Sequence, residues 1–225
     1  MSSTQVTDAL TKKILGGIYV QTLKLGESQA SLDSFVTNDD ISNMPYALGS
    51  IYHDYISRLE NEGLVSFDPD STIRLTASGR RNIVVVMIGG AFDIIHPGHV
   101  ETLRRAKALG DVLAVSVARN STYRKNKGKE PIHDERLRLD LIISMKFVDV
   151  AVLGSENDIF ETVLFLKPDI IALGYDQSHS ENSIREGAKK VGIDVRVVRL
   201  ESSVPAIKTS SIVNSNDKEK LLAGT

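Results

Sequence analysis

Two histidines near the middle of the chain have the spacing and the neighbours of a phosphate site. His96 and His99 are three residues apart, which places both rings on one side of a helical turn. An apolar run that ends in Gly89-Gly90 precedes them, and glycines there let the backbone turn sharply and approach a ligand closely. The N–H groups at a helix start favour anions. Imidazoles in that place can donate hydrogen bonds to phosphoryl oxygens that gain charge during transfer.

The pair alone leaves other uses open. Histidines at the start of a helix could also act as caps or bind a metal ion. Pro97 fits a first-turn position, where its missing N–H costs no hydrogen bond, and Gly98 leaves room for a phosphate or a base. Asp93 could orient phosphate-binding groups, approach a metal ion or cap the following helix.

The elements around the histidines alternate between strands and helices. Short runs rich in Val and Ile, typical of strands buried on both faces, lie at 83–88, 112–117, 148–153, 170–173 and 195–198. Helical patterns lie between them, at about 99–109, 134–146, 157–166 and 183–191. This alternation predicts an α/β fold, a doubly wound parallel sheet with right-handed crossovers. Ligands of such sheets bind beyond the carboxyl ends of the strands, which is where the histidines fall.

A smaller unit precedes this domain. Helical patterns at 6–23 and 46–61, followed by a hairpin pattern at 64–75, resemble a winged-helix domain over residues 1–80. We expect the α/β domain at 82–214 and a polar tail at 215–225. Residues 1–80 hold six basic against ten acidic side chains. Because DNA phosphates attract Lys and Arg, a docking or dimerisation role is favoured over nucleic-acid binding.

The composition restricts the class of protein. The chain has no cysteine, which excludes disulfides, thiolate metal sites and cysteine nucleophiles and is compatible with a reducing cytosol. Its N-terminus has no signal-peptide pattern, and its longest apolar run is far shorter than the ~20 residues of a membrane span. We therefore expect a cytoplasmic protein without a membrane partner.

The segment at 89–99 carries a resemblance to a known family. It reads Gly-Gly-Ala-Phe-Asp-Ile-Ile-His-Pro-Gly-His and resembles the Gly-Thr-Phe-Asp-x-x-His-x-Gly-His signature of the cytidylyltransferase-like nucleotidyltransferases. The resemblance extends over 83–213 and implies a Rossmann-like nucleotidyltransferase domain in which His96 and His99 are catalytic. It implies a nucleotide site that includes Ala91, Phe92, His96, Pro97, Gly98 and His99. Ala91 departs from the signature, because the threonine hydroxyl usual there is missing.

The same resemblance assigns residues after the later strands. It implies that Asp176, in the Gly-x-Asp element, and Ser210, in the segment 207–213, bind the nucleotide. Arg199 could steady the leaving pyrophosphate. Residues expected at the acceptor's phosphate are Asp93, Lys127 in a basic loop at 124–129, and Arg136.

Within the family, the patterns at 118–120 and 172–177 resemble those of archaeal-type FAD synthases. That likeness implies transfer of AMP from ATP to FMN, giving FAD and pyrophosphate, with a divalent cation such as Mg²⁺ as cofactor. The cysteine pair associated with that group is absent. A glycerol-3-phosphate cytidylyltransferase that uses CTP remains the alternative, and a nucleotide-sensing transcription regulator is the alternative of another class. The resemblance suggests a homodimer but leaves the oligomeric state open.

Overall fold

The computed structural model describes residues 8–25, 35–37, 49–67, 73–175, 177 and 179–201. Its helices are α1 (Ala9–Leu25), α2 (Gly49–Asn61), α3 (Ala77–Arg81), α4 (Pro97–Lys107), α5 (Asn120–Lys127), α6 (Glu135–Ile143), α7 (Ile159–Leu166) and α8 (Glu181–Lys190). Its strands are β1 (Phe35–Thr37), β2 (Val65–Phe67), β3 (Ile73–Leu75), β4 (Val85–Gly90), β5 (Val112–Val117), β6 (Val150–Leu153), β7 (Ile170–Leu173) and β8 (Arg196–Arg199). None of the helices in these ranges is long and apolar enough to cross a membrane.

A mixed sheet forms the centre of the molecule, with the strand order β1-β6-β5-β4-β7-β8. The five strands from β6 to β8 run parallel, and β1 pairs antiparallel with β6 at the edge. The α/β prediction of a doubly wound parallel sheet is confirmed. The chain leaves β4 toward β5 and β6 on one side and later returns to β7 and β8 on the other. The order therefore reverses beside β4, and the crevice at that point is the expected place for a ligand.

Helices cover both faces of the sheet. On one face, α4 and α6 contribute Leu103, Ala106, Leu139 and Ile142 to a cluster with the strand residues Val86, Ile88, Leu113 and Val115. On the other face, α7 and α8 pack in a cluster with the alternate strand residues Val85, Met87, Val112 and Ala114. The strands are buried on both faces, which is why their sequences read as continuous apolar runs.

Helix α1 belongs to this second layer. Residues 14–20 of α1 are all buried, and Leu15 is fully buried in the same apolar cluster as the sheet residues Val85 and Met87. Residues of α2 and of the β2–β3 hairpin pack in that cluster too, so the middle of α1 is enclosed, while residues nearer its ends, such as Leu10 and Gln21, are exposed. The division into domains at residues 80–82 stays a prediction. What the described residues show is that α1 shares a core with the sheet.

Polar contacts fasten the N-terminal segment to the amino ends of the strands. Lys12 lies 3.2 Å from the carboxylate of Asp111, just before β5. Arg80 lies 2.9 Å from the carboxylate of Asp169, just before β7. Because parallel strands bind ligands at their carboxyl ends, these contacts lie at the opposite end of the sheet from the expected site.

The basic segment predicted as a loop is largely helical. Residues 120–127 form α5, and Gly128 ends it in the left-handed conformation (φ 67°), with its N–H donating to the Arg124 carbonyl. Tyr123 is the one buried side chain of this helix. A helix with a single buried residue has no apolar period in its sequence, which is why the pattern did not predict it.

Candidate active site

The turn between β4 and α4 places the two histidines at a helix start. His96 is the N-cap of α4, with an extended backbone (φ −143°, ψ 167°), and Pro97 is the first helical residue. The rings of His96 and His99 lie with their centroids 3.9 Å apart and their planes 30° apart. Both imidazoles therefore sit together at the positive end of the α4 dipole, where an anion is stabilised.

Phe92 supports this pair from within the turn. Its backbone takes the left-handed conformation (φ 52°), which is costly for a bulky residue and is concentrated at functional sites. Its buried ring meets the His99 ring edge to face, with centroids 5.4 Å apart. A cavity of about 470 Å³ opens beside His96 and is lined also by Ile95, Pro97, Val100 and Glu101. The turn thus offers a fixed pair of imidazoles next to open space.

Asp93 holds the segment between α5 and α6 against the turn. Its carboxylate accepts hydrogen bonds from the N–H groups of Ile132 and His133, both at 2.9 Å to Oδ1, and from the Tyr123 hydroxyl at 3.1 Å. Burial alone would raise the pKa of the Asp93 carboxyl, but these three donors, together with the Arg138 guanidinium, hold that pKa below its ordinary value. An anionic carboxylate with three donors already bound is suited to fixing the chain. We assign Asp93 to positioning this segment.

Arg138 is the second organising residue, and the sequence patterns did not single it out. It is fully buried in α6. Its guanidinium donates to the Ala91 carbonyl at 2.6 Å, the His133 carbonyl at 3.0 Å and the Asn120 side-chain oxygen at 2.8 Å. Burial lowers the pKa of Arg138, and the nearby carboxylates oppose that shift. One feature of the sequence could have indicated Arg138: an arginine stands at a position of α6 where the helical pattern predicts an apolar residue.

The loop that follows β5 is fixed from α6 as well. Arg119 donates to the Gly154 carbonyl at 3.1 Å and lies 3.1 Å from the carboxylate of Glu135. The other oxygen of Glu135 accepts from the Asn120 N–H at 2.6 Å. The pattern at 118–120 therefore joins the ends of β5 and β6 to the start of α6. Its visible role is to shape the rim of the site.

On the other side of β4, Gln177 joins the ends of two strands. Its amide nitrogen donates to the Gly89 carbonyl at 2.7 Å, and its amide oxygen accepts from the Gly174 N–H at 3.1 Å. The sequence pattern at 172–177 includes Gln177 but predicts no role for it. Arg199 donates to the carbonyls of Gly174 and Gln177 and to that of His179. The loop after β7 is therefore fastened to β4 and to the end of β8.

The structure brings together most of the residues predicted for the nucleotide site. Ala91, Phe92, His96, Pro97, Gly98 and His99 all lie in the β4–α4 turn or the first turn of α4. Arg199 lies at the end of β8, with its guanidinium on the loop after β7. Asp176 and Ser210 lie outside the described residues. The contacts of these residues with a nucleotide stay predictions.

The residues predicted for the acceptor phosphate are more scattered. Lys127 is the exposed last residue of α5, and Arg136 is exposed in the first turn of α6, where its N–H donates to the Asp134 carboxylate at 2.9 Å. Asp93 is buried in the turn. The contact of Lys127 and Arg136 with an acceptor stays a prediction.

A doubly wound sheet with paired imidazoles at the helix start beside the switch point is the arrangement expected of a phosphate-binding enzyme of the Rossmann-like type. The model of the family described as Cytidylyltransferase-like matches residues 87–215, and the chain belongs to this family.

Individual relatives show which members of this family the chain resembles. A FAD synthase of Thermoplasma acidophilum is 47% identical over 137 residues, which are 61% of this chain and 96% of the relative. A FAD synthase of Aciduliprofundum boonei is 52% identical over 119 residues, 53% of this chain and 79% of the relative. The crystal structure of a lipopolysaccharide core biosynthesis protein from Thermoplasma volcanium GSS1 has 50% identity and a TM-score of 0.52, and the match covers 53% of this chain and 98% of that one.

Proposed function

We propose that the chain transfers AMP from ATP to FMN, which yields FAD and pyrophosphate. The observation that carries the proposal is the close, tilted pair of imidazole rings of His96 and His99 at the start of α4. It stands in a domain that relatives named FAD synthase share along most or nearly all of their length.

The geometry supports a direct displacement at phosphorus. An oxygen of the FMN phosphate forms a bond to the α-phosphorus of ATP, and the bond from that phosphorus to the bridging oxygen breaks, so that pyrophosphate leaves. Phosphoryl transfer depends on positioning and on stabilising charge more than on covalent help from the protein. The imidazoles of His96 and His99 donate hydrogen bonds to the oxygens that gain negative charge, and the α4 N-terminus adds its dipole.

Enzymes of this class generally use a divalent cation, and we propose that Mg²⁺ serves here. The described part of the chain has no group of three or more His, Cys, Asp or Glu side chains that could hold a metal ion. The carboxylate of Asp93 is occupied by three protein donors. Mg²⁺ usually retains several waters and is bound largely by substrate phosphates. We therefore propose that it enters as the counter-ion of ATP, where it neutralises charge on the triphosphate.

The setting of the reaction and the role of the N-terminal segment stay predictions. They include the cytoplasmic location, the homodimer and the docking role of residues 1–80 over nucleic-acid binding. ATP and FMN are the small-molecule partners that the proposed activity requires.

A substrate matrix tests the proposed activity. Purified protein is incubated with Mg²⁺, with ATP or CTP, and with FMN or glycerol 3-phosphate, and products are separated by chromatography. We expect FAD and pyrophosphate from ATP and FMN. Product from CTP and glycerol 3-phosphate alone would instead establish the cytidylyltransferase. Nucleotide binding without turnover in any combination would favour the sensing regulator.

A variant tests the catalytic assignment. In His99→Ala the ring that meets both Phe92 and His96 is lost. We expect the turnover number for FAD formation to fall by roughly 10²–10³, the range for losing one donor to a developing charge. Thermal unfolding of the variant serves as the control for folding. Near-native turnover in folded His99→Ala would remove the imidazole pair from the mechanism.

A further inference from the structure

His133 is a third histidine at the site, and it is held at three points. It lies between α5 and α6, beside the β4–α4 turn. Its N–H donates to Asp93 Oδ1 at 2.9 Å, and its carbonyl accepts from Arg138 Nε at 3.0 Å. Its ring Nδ1 lies 2.6 Å from the Asp93 carbonyl oxygen. Both main-chain polar groups and one ring nitrogen are therefore fixed by two residues.

The two residues that hold His133 are buried, whereas its own ring is not. Asp93 is 4% exposed and Arg138 is 0% exposed, but the side chain of His133 is 39% exposed. Burying a charged group is costly unless it is well paired. Here two buried charges of opposite sign fix the main chain of His133, and the backbone carbonyl of Asp93 orients its partly exposed imidazole. A ring locked in place but open to solvent is the arrangement expected of a group that meets a ligand.

The hydrogen bond of the ring determines which nitrogen is available. A carbonyl oxygen can only accept, so Nδ1 of His133 carries the proton in its bond to Asp93. Nε2, on the opposite side of the ring, remains for a ligand. It accepts a hydrogen bond when the imidazole is neutral and donates one when the imidazole is charged.

The position of His133 relative to the strands of the sheet indicates which ligand its Nε2 meets. Arg199, which is expected to steady the leaving pyrophosphate, lies at the end of β8, on one side of β4. His133 lies on the other side, among the loops that follow β5. In an in-line displacement the attacking and leaving oxygens lie on opposite sides of the phosphorus. The attacking phosphate therefore approaches from the side of His133.

We propose that His133 binds the phosphate of the acceptor FMN through Nε2. This inference rests on the proposed function. A phosphomonoester has its second ionisation near pH ~6 and so exists at neutral pH in both anionic forms. Nε2 can bind either form, by accepting from the monoanion or donating to the dianion. Asp93 and Arg138 act through His133 as positioning residues.

Two substitutions at the same position separate ligand binding from structure. In His133→Asn the amide N–H keeps the donor to the Asp93 carbonyl and removes Nε2. We expect the KM for FMN to rise by about tenfold or more, as for the loss of a hydrogen bond to a charged group, while the KM for ATP stays within about twofold. In His133→Gln an amide reaches the place of Nε2, and we expect part of the FMN affinity to return.

Ile132→Ala is the matched control, because Ile132 is the exposed neighbour whose N–H also binds Asp93. It should leave both KM values unchanged. An unchanged KM for FMN in His133→Asn would overturn the inference, and so would an equal rise in both KM values, which would indicate a structural role. Failure of the wild-type protein to form FAD would overturn the proposed function first and this inference with it.

Discussion

Gly90, the last residue of β4, lies so close to Phe92 that a single added methyl group tests the site. A Cβ at position 90 would lie 2.7 Å from Cε2 and Cζ of the Phe92 ring. Carbon atoms come into favourable contact at about 3.5–4.0 Å, so the ring or the backbone must shift by about 1 Å. Phe92 is 4% exposed, so a shift of its ring displaces the groups that are packed around it.

A shift of the Phe92 ring would also displace the proposed catalytic pair, because the Phe92 ring contacts the His99 ring. Overpacking of this kind costs about 1–3 kcal/mol of stability, and a displacement of about 1 Å at a reacting group can cost about 100-fold in rate. We therefore expect Gly90→Ala to remain folded at 25 °C, with a lower melting temperature and a turnover number for FAD formation reduced by one to two orders of magnitude.

The neighbouring glycine provides the control. A Cβ at position 89 would meet as its nearest atom the Ser116 carbonyl oxygen at 3.8 Å, an ordinary contact. Gly89→Ala makes the same chemical change one residue earlier in the same strand. Steady-state rates of FAD formation and calorimetric melting temperatures are measured for both variants, and we expect only Gly90→Ala to be impaired. Equal activity in the two variants would refute the coupling from Gly90 through Phe92 to His99.

Three further predictions concern the core, the turn and the crevice. Leu15→Ala in α1 should lower the free energy of unfolding by about 2–5 kcal/mol and the melting temperature by roughly 5–15 °C, while the folded fraction keeps its turnover number. A change in melting temperature below about 1 °C in calorimetry would contradict the packing of α1 on the sheet. Asp93→Asn should be less stable than wild type at neutral pH in urea unfolding. The folded-state pKa of Asp93 lies below its reference value of 3.8, so the stability that the Asp93 carboxylate contributes is complete above that value and is lost as the pH falls through the folded pKa. The difference in unfolding free energy between wild type and Asp93→Asn should therefore shrink below about pH 4. A difference that does not change with pH would contradict this. Gln177→Ala should raise the KM for ATP several-fold with little change in the KM for FMN, and the reverse pattern would place Gln177 on the acceptor side.

Local sequence carried the fold and the centre of the site. Continuous runs of Val and Ile predict parallel strands even when the neighbouring strands are unknown, because a strand that is buried on both faces is apolar at nearly every position. The β4–α4 turn is likewise local: the residues from 89 to 99 that bring two imidazoles to a helix start are contiguous, so their types and spacing alone predict the phosphate site.

The tertiary structure decided the contacts between distant parts of the chain. The apolar pattern at 6–23 indicated a helix but not that it packs on the sheet as well as on α2, because a pattern shows which face is apolar and not what that face contacts. Arg138, Gln177 and His133 gained their roles from hydrogen bonds to residues 40 to 88 positions away. No local period records such contacts, since they form only when the sheet brings the ends of β4, β5 and β7 to one edge.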